Sequence, residues 1–350
     1  MCNTDNERGR LSNTIDFWDR IPRYSISQQQ MRSLRSQEGS LQLLRLEFQY
    51  RKQTFQVVIQ AARVRFQRQR RKVDGVTAGG EMVEQDFYPS ANEELVEEAL
   101  RKFAGESGNG FFDKDNFQSG VFFTLHMLRK ELGKMGHARS YAEISLSLSI
   151  LAQSNIRITG GTGIGNYREE SSNFFPQLLI VRERELKVDP NARCFVQFHP
   201  LVTRCIDELT YRQFNYEQMM RLKSQLARWL FKLLVMQFTF ASLDRTWTIN
   251  YQRIKRDSAM LYGYDAKNER MAIRAVSDAF DELKSSGVIE PIAKKEYIGS
   301  RKKVMDVEYV VTASEQFIKE MIAANARRKD RGGKTVEGIP KLSTMCQDKF

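Results

Sequence analysis

The densest patterning of chemistry-bearing residues lies between positions 267 and 286. Lys267, Arg270, Arg274 and Ser277 recur at i, i+3, i+7 and i+10, which is one stripe of a helix. Ile273, Val276, Phe280 and Leu283 form a second stripe. At about 100° per residue the two stripes point roughly 135° apart. A helix divided in this way can pack one side on a domain and offer the other to the major groove of DNA. Asn268 and Arg270 fall in the first turns, where such a helix penetrates deepest. Arg can pair with guanine and Asn with adenine at the major-groove edge. A surface helix with a solvated basic face has the same spacing, so the neighbouring segments decide between the two readings.

Those neighbours favour nucleic acid. Lys294, Lys295, Arg301, Lys302 and Lys303 surround Gly299 in what reads as a hairpin, and a basic hairpin tip can track backbone phosphates. Arg253, Lys255 and Arg256, on the helix before the striped one, would also lie near phosphate. A second cluster, Arg63, Arg65, Arg68, Arg70, Arg71 and Lys72, contains no acid and is either a DNA arm or an exposed linker. A third, Arg327, Arg328, Lys329, Arg331 and Lys334, reads as a basic tail of weak nonspecific affinity.

Catalytic and cofactor motifs fail on inspection. Gly161, Gly163 and Gly165 imitate a nucleotide-binding loop, but no helix follows to offer a phosphate its N-terminus, so a hairpin turn is expected. Gly333-Lys334-Thr335 ends like a P-loop, yet Arg328 occupies the first-glycine position and no strand precedes it. The three histidines, His126, His137 and His199, form no His-x-His pair. Cys194 and Cys205 lack zinc-site spacing, and Asp113 and Asp115 fit a helix N-cap region better than a magnesium pair. The expectation is a non-enzyme without cofactor or metal. The lack of paired acidic motifs also argues against a primase-like activity in the N-terminal third.

The elements that must position these residues follow from pattern. The chain has 350 residues, a formal net charge of +12 and 41% hydrophobic residues, which suggests two domains, excludes wholesale disorder and points to a polyanionic partner. No apolar run of membrane-spanning length exists, and four scattered cysteines suit a reducing cytoplasm. Residues 1–40 are polar and read as a mobile arm. Residues 41–72 read as a strand-rich extension and basic linker, with Leu44, Leu46, Phe48 and Tyr50 alternating with polar residues. Helices are then expected from Asn92, over Asn116–Leu132 and over Tyr141–Gln153 with Ser140 as N-cap, followed by a hairpin. Glu93, Glu94, Glu97 and Glu98 suit the first turns of the first helix. The apolar strand Leu178–Val181 fits either core or a dimer sheet. Three helices and a hairpin are the order of a winged helix-turn-helix, and the order repeats after a long helix over Tyr211–Phe238. The expected fold is α+β and mainly helical. It comprises a first winged-helix domain over 73–208, a second over 209–326 and a basic disordered tail over 327–350.

Three stretches carry a family resemblance: Arg139 to Leu151, Tyr216 to Leu230, and Ala279 to Glu290. In pattern and order, over about Val73 to Ala326, the chain resembles iteron-binding plasmid replication initiators of the RepA and TrfA kind. The resemblance implies double-stranded DNA as partner, with monomers bound at repeated origin sites, melting of adjacent AT-rich DNA, and recruitment of the host initiator and replicative helicase. It also implies dimers, formed through the first winged-helix domain, that repress their own gene. Carried onto this chain, the reading residues are Lys267, Asn268, Arg270, Met271, Arg274 and Ser277. Lys294, Lys295, Arg301, Lys302 and Lys303 become wing contacts, and Arg139 and Ser140 become phosphate contacts of the first domain. The setting implied is bacterial cytoplasm. A winged-helix transcriptional repressor without a replication role is the competing reading, because it shares every DNA-binding feature.

Overall fold

The computed structural model describes residues 10–51, 53–68, 81–106, 108–161, 167–181, 193–208, 210–261, 268–299 and 304–330. Within the expected N-terminal arm, the described residues are built into the core rather than mobile. Leu11–Ile15 (β1) pairs antiparallel with Tyr211–Asn215 (β12). Asp16–Arg20 (α1) buries Trp18, and Gln28–Leu34 (α2) starts from a capping box made by Ser27 and Gln30. The segment places Ile15, Trp18, Ile21, Tyr24, Ile26 and Met31 in the core, and buries charge with a partner beside them. Asp19 and Arg23 are both buried and paired.

Leu44–Tyr50 (β2) alternates as its sequence predicts, with Leu44, Leu46, Phe48 and Tyr50 inward. It pairs with Gln53–Gln60 (β3), whose other edge pairs with Asn155–Gly161 (β8), itself paired with Tyr167–Asn173 (β9). The strands expected as a separate extension therefore share one four-stranded sheet, β2-β3-β8-β9, with the hairpin of the first helical unit. Val57 and Ile59 of β3 are fully buried, which requires cover on that face. Ala62–Arg68 (β4) pairs with Glu81–Phe87 (β5), so the expected boundary at 72/73 falls inside a hairpin.

Ala91–Ala104 (α3) is followed by Gly110–Asp113 (β6) and Gln118–Phe123 (β7). The helix expected from Asn116 is thus a strand first, and Leu125–Lys134 (α4) begins only after Thr124, whose hydroxyl caps it. Gly120 explains the strand. A Cβ there would lie 2.3 Å from the carbonyl oxygen of Val196 and 2.8 Å from the Phe195 ring, so glycine permits the close pairing with Cys194–Gln197 (β11). Tyr141–Gln153 (α5) has the expected bounds. Leu178–Leu179 (β10) completes the sheet β10-β11-β7-β6 at its edge.

Pro200–Asp207 (α6) leads to β12, and the long helix expected over 211–238 is three elements instead. Tyr211–Asn215 alternates and takes β1 as partner, Tyr216–Met220 (α7) is one turn, and Gln225–Gln237 (α8) restarts with Ser224 as N-cap. Thr246–Asn250 (β13), Tyr251–Ser258 (α9), Glu269–Ser285 (α10), Ala293–Ile298 (β14), Val304–Thr312 (β15) and Glu315–Asp330 (α11) follow, with strand order β13-β15-β14. Helix α11 runs past residue 327, where the tail was expected to begin. Helix and strand account for 42% and 31% of the described residues, which are a mixture of helix and sheet. One hydrophobic core runs unbroken from Ile15 to Met321.

At the centre of this core α3 buries charge. Glu97 accepts from the Trp18 indole and from the Tyr24 hydroxyl, Arg101 makes 2.7 Å and 2.9 Å bonds to Asp19, and Arg228 of α8 meets Glu94 at 2.7 Å. Lys232 of α8 reaches both Glu98 and Asp19. Burial alone would raise the Asp19 carboxyl, but Arg101, Lys232 and Arg23 together hold it well below the usual range. Glu98 goes the other way, raised by burial beyond what Lys232 and Arg101 offset. The acids read as first-turn ornaments are thus the node that joins the N-terminal segment, α3 and α8.

Candidate nucleic-acid interface

Helix α10 is seated from behind. Ala272, Val276, Ala279, Phe280 and Leu283 are buried, and Phe280 stacks on Tyr309 of β15 at 4.8 Å between ring centroids. At its far end the Glu282 carboxylate accepts from the backbone N–H groups of Lys223 and Ser224 at the start of α8. Gly287, at φ +69°, ends the helix in the left-handed conformation that glycine adopts without strain, and its carbonyl accepts from the Ser314 hydroxyl. The geometry leaves Asn268, Arg270, Met271 and Arg274 exposed on the outer face. Among the described residues, neither Arg270 nor Arg274 has a carboxylate partner. Ser277 belongs elsewhere than expected. It is half-buried with its hydroxyl 3.5 Å from that of Tyr309, so it faces the sheet. Lys267 lies outside the described residues.

The hairpin β14–β15 stands beside this helix. Every residue of β14 is exposed, whereas Val307, Tyr309 and Val311 of β15 point into the core. Lys294 lies 5.9 Å from the Tyr309 ring and Lys295 lies 5.1 Å from the Tyr297 ring, each ammonium remaining at the surface. Arg301, Lys302 and Lys303 lie outside the described residues.

The cations of α9 are largely occupied. Lys255 pairs with Glu269 at 2.9 Å, Arg256 with Asp257 at 2.7 Å, and Arg253 with Asp257 at 3.5 Å and Gln237 at 3.2 Å. Each of the three, expected to lie near phosphate, thus already has a partner within the fold. Glu269 opens α10, so its pair with Lys255 also ties α9 to that helix. No sequence signal exposed it, because the partners lie 14 positions apart on separate helices.

Helix α5, expected as the counterpart of α10 in a first winged-helix domain, is differently placed. Ser140 and Glu143 form a capping box, which commits the Ser140 hydroxyl to the Glu143 N–H and carboxylate. Those bonds from Ser140, more than nearby Arg139, lower the Glu143 carboxyl. Arg139 is turned to Asn92 at 2.7 Å and to the Ala138 carbonyl. Along the helix, Leu146 and Ile150 pack against Ala62, Val64, Phe66 and Phe87 of the β4–β5 hairpin. The basic cluster at residues 63–72 therefore begins as a cover over α5. Arg63 pairs there with Asp86, and Arg70, Arg71 and Lys72 lie outside the described residues. The glycine turn at 163–165 and the Gly333–Thr335 stretch also lie outside them.

Among the described residues no group of three or more His, Cys, Asp and Glu side chains could hold a metal ion, and no helix is long and apolar enough to cross a membrane.

No protein-family profile and no curated protein matches the chain. Solved structures do. Domains 2 and 3 of RctB are similar over 77% of this chain and 91% of that chain, at 9% identity and a TM-score of 0.47. A second RctB structure of the same domains is similar over 81% and 94%, at 11% identity and a TM-score of 0.44. The Pi initiator protein, solved in complex with iteron DNA, is similar over 64% of this chain and 94% of that chain, at 11% identity and a TM-score of 0.39.

Proposed function

We propose that this chain binds double-stranded DNA with sequence specificity through two winged-helix units, the second being the reader, and that it initiates plasmid replication at repeated origin sites. The observation that carries the proposal is the outer face of α10. Arg270 and Arg274 stand exposed, without a carboxylate partner among the described residues, on a helix whose other face is locked into the core, beside a hairpin that presents Lys294 and Lys295. That arrangement supplies bidentate donors for base edges and point charges for phosphates. The first unit, with α5 covered, contributes phosphate contact through Arg139 and a surface for a second copy.

The finer parts of the role follow the sequence resemblance. Monomers occupy the repeats, adjacent AT-rich DNA melts, the host initiator and replicative helicase are recruited, and dimers repress the gene. The role is one of binding without chemistry of its own, in the bacterial cytoplasm. Two measurements test it. Selection from a randomised duplex pool should yield one defined sequence. A circle carrying the gene and its flanking DNA should then replicate without another origin. Failure of selection overturns DNA reading. Selection without replication assigns the chain to the repressor class.

A further inference from the structure

The outer end of the β14–β15 hairpin carries an apolar group that neither core packing nor the reading helix uses. Ile298 is 62% exposed, Met305 56% and Tyr297 42%, and they are neighbours in the ladder. Scattered exposed apolar side chains are ordinary, but these three lie at adjacent rungs of the ladder at the end of one hairpin, with Tyr297 on the opposite face of β14 from Ile298.

The group is built rather than loose. The strand register shifts between Tyr297 and Ile298, so Met305 has no partner across the ladder and sits in a bulge. Bulges re-aim a side chain at a sheet's end. This one is fastened to the start of α9. The Met305 carbonyl accepts from Gln252 Nε2 at 2.9 Å, and the Asp306 carboxylate accepts from Asn250 Nδ2 at 2.7 Å and from the Gln252 N–H at 3.1 Å. Alternation also fixes the direction of Ile298. It shares a face of β14 with Lys294, which lies against Tyr309, and Tyr309 stacks on Phe280 of α10. Ile298 therefore projects on the α10 side of the sheet, in line with Lys294.

We propose that Ile298 and Met305 form an apolar wedge that enters the minor groove of bound duplex DNA and parts a base step. The occupant is a double helix rather than a protein because Ile298 shares a face of β14 with Lys294 and projects on the side of α10, whose outer face bears Arg270 and Arg274, which suits a polyanion. Apolar wedges of this kind unstack one step and kink the duplex. The inference rests on the DNA-binding reading above, and residues 300–303 between the two strands lie outside the described residues.

The test uses the full chain and a duplex selected from a random pool, with 2-aminopurine placed at successive steps. At saturating protein, one step beneath the hairpin should brighten several-fold, and Ile298→Ala with Met305→Ala should abolish that signal. Ile298→Phe should keep it. Lys294→Ala should weaken binding while leaving the brightening at saturation intact. An unaltered signal in the double alanine variant, or no brightening at any step with wild type, overturns the wedge while leaving DNA reading in place. A change in the sedimentation of DNA-free protein on Ile298→Ala also overturns it and assigns the group to a protein contact. Failure of the wild type to bind any duplex overturns the DNA-binding reading itself.

Discussion

Helix α3 buries Glu93, Glu94, Glu97, Glu98, Arg101 and Lys102, whereas α10 keeps Arg270, Arg274, Asp278, Asp281 and Lys284 at the surface and buries small and apolar residues. Both helices are rich in charge on paper. The difference lies in what faces them. The charges of α3 meet Asp19 and Arg23 from the N-terminal segment and Arg228 and Lys232 from α8. Arg270 and Arg274 meet no carboxylate among the described residues. A charge enclosed with its counter-charge is committed to the fold, and an unpartnered exposed one remains available to a ligand.

The hardest blow to the comparison would come from Asp19. It answers Arg101, Arg23 and Lys232 together, so Asp19→Ala leaves three buried cations to Glu97 and Glu98 alone and should cost about 3–5 kcal/mol in urea unfolding. Arg274→Ala should change the same measurement by no more than about 0.5 kcal/mol. Equal losses would mean that α10 is as structural as α3.

His199 extends the contrast to pH. Its ring stacks on Trp18 at 4.5 Å, and Trp18 donates to Glu97 of α3. Burial, with Arg23 and Arg204 adding repulsion, pushes it down to about 3 from 6.5. A depressed folded value means that its contribution is complete above the unfolded value. That contribution is lost as pH falls through the window from 6.5 to about 3, at up to about 1.4 kcal/mol per pH unit. His199→Asn keeps an acceptor for the Leu201 N–H but cannot titrate, so its stability should be flatter across that window. A parallel pH profile would mean that His199 titrates in the folded protein much as it does in the unfolded chain.

What the sequence made legible was local. The alternation of β2, the N-cap and bounds of α5, and the apolar stripe of α10 each depend on residues a few positions apart. What it hid depends on distant partners. The acids of α3 look like favourable first-turn residues until Arg228 and Lys232, about 130 positions on, are brought against them. The arm around Trp18 looks mobile until β12 pairs with β1. The face of α5 looks available until Val64, Phe66 and Phe87 are laid over it. The exposed basic faces of α10 and β14 were thus legible, whereas the partners of Ser277, Lys255 and Ser140 were not, because they come from tertiary contact or from a capping role.

Smaller effects concern binding alone. Arg270→Ala or Arg274→Ala should cost about 1–3 kcal/mol on the selected sequence if each makes a bidentate base contact, and much less on random duplex. Equal losses on both DNAs would reduce these arginines to phosphate contacts. Lys294→Ala should weaken binding to every sequence and lower the salt slope by about 0.9, the value for one phosphate. An unchanged slope would place the hairpin away from the backbone.

The finest distinction is between a paired and an unpaired cation on the same face. Lys255 is held by Glu269, which opens α10 next to Arg270. Glu269→Gln keeps a polar side chain for Tyr251 but removes the charge, freeing Lys255 and deleting an anion from the approach to DNA. A partly exposed pair of this kind is worth roughly 0.2–1 kcal/mol, so binding should tighten by no more than about fivefold, on selected and random duplex alike. The gain should fade as salt rises, because it is Coulombic. Tightening confined to the selected sequence would make Glu269 part of the reading surface instead. Loss of affinity would mean that the pair's role is to aim α10, and the line drawn here between charges that hold the fold and charges that meet a ligand would have to pass through Glu269 itself.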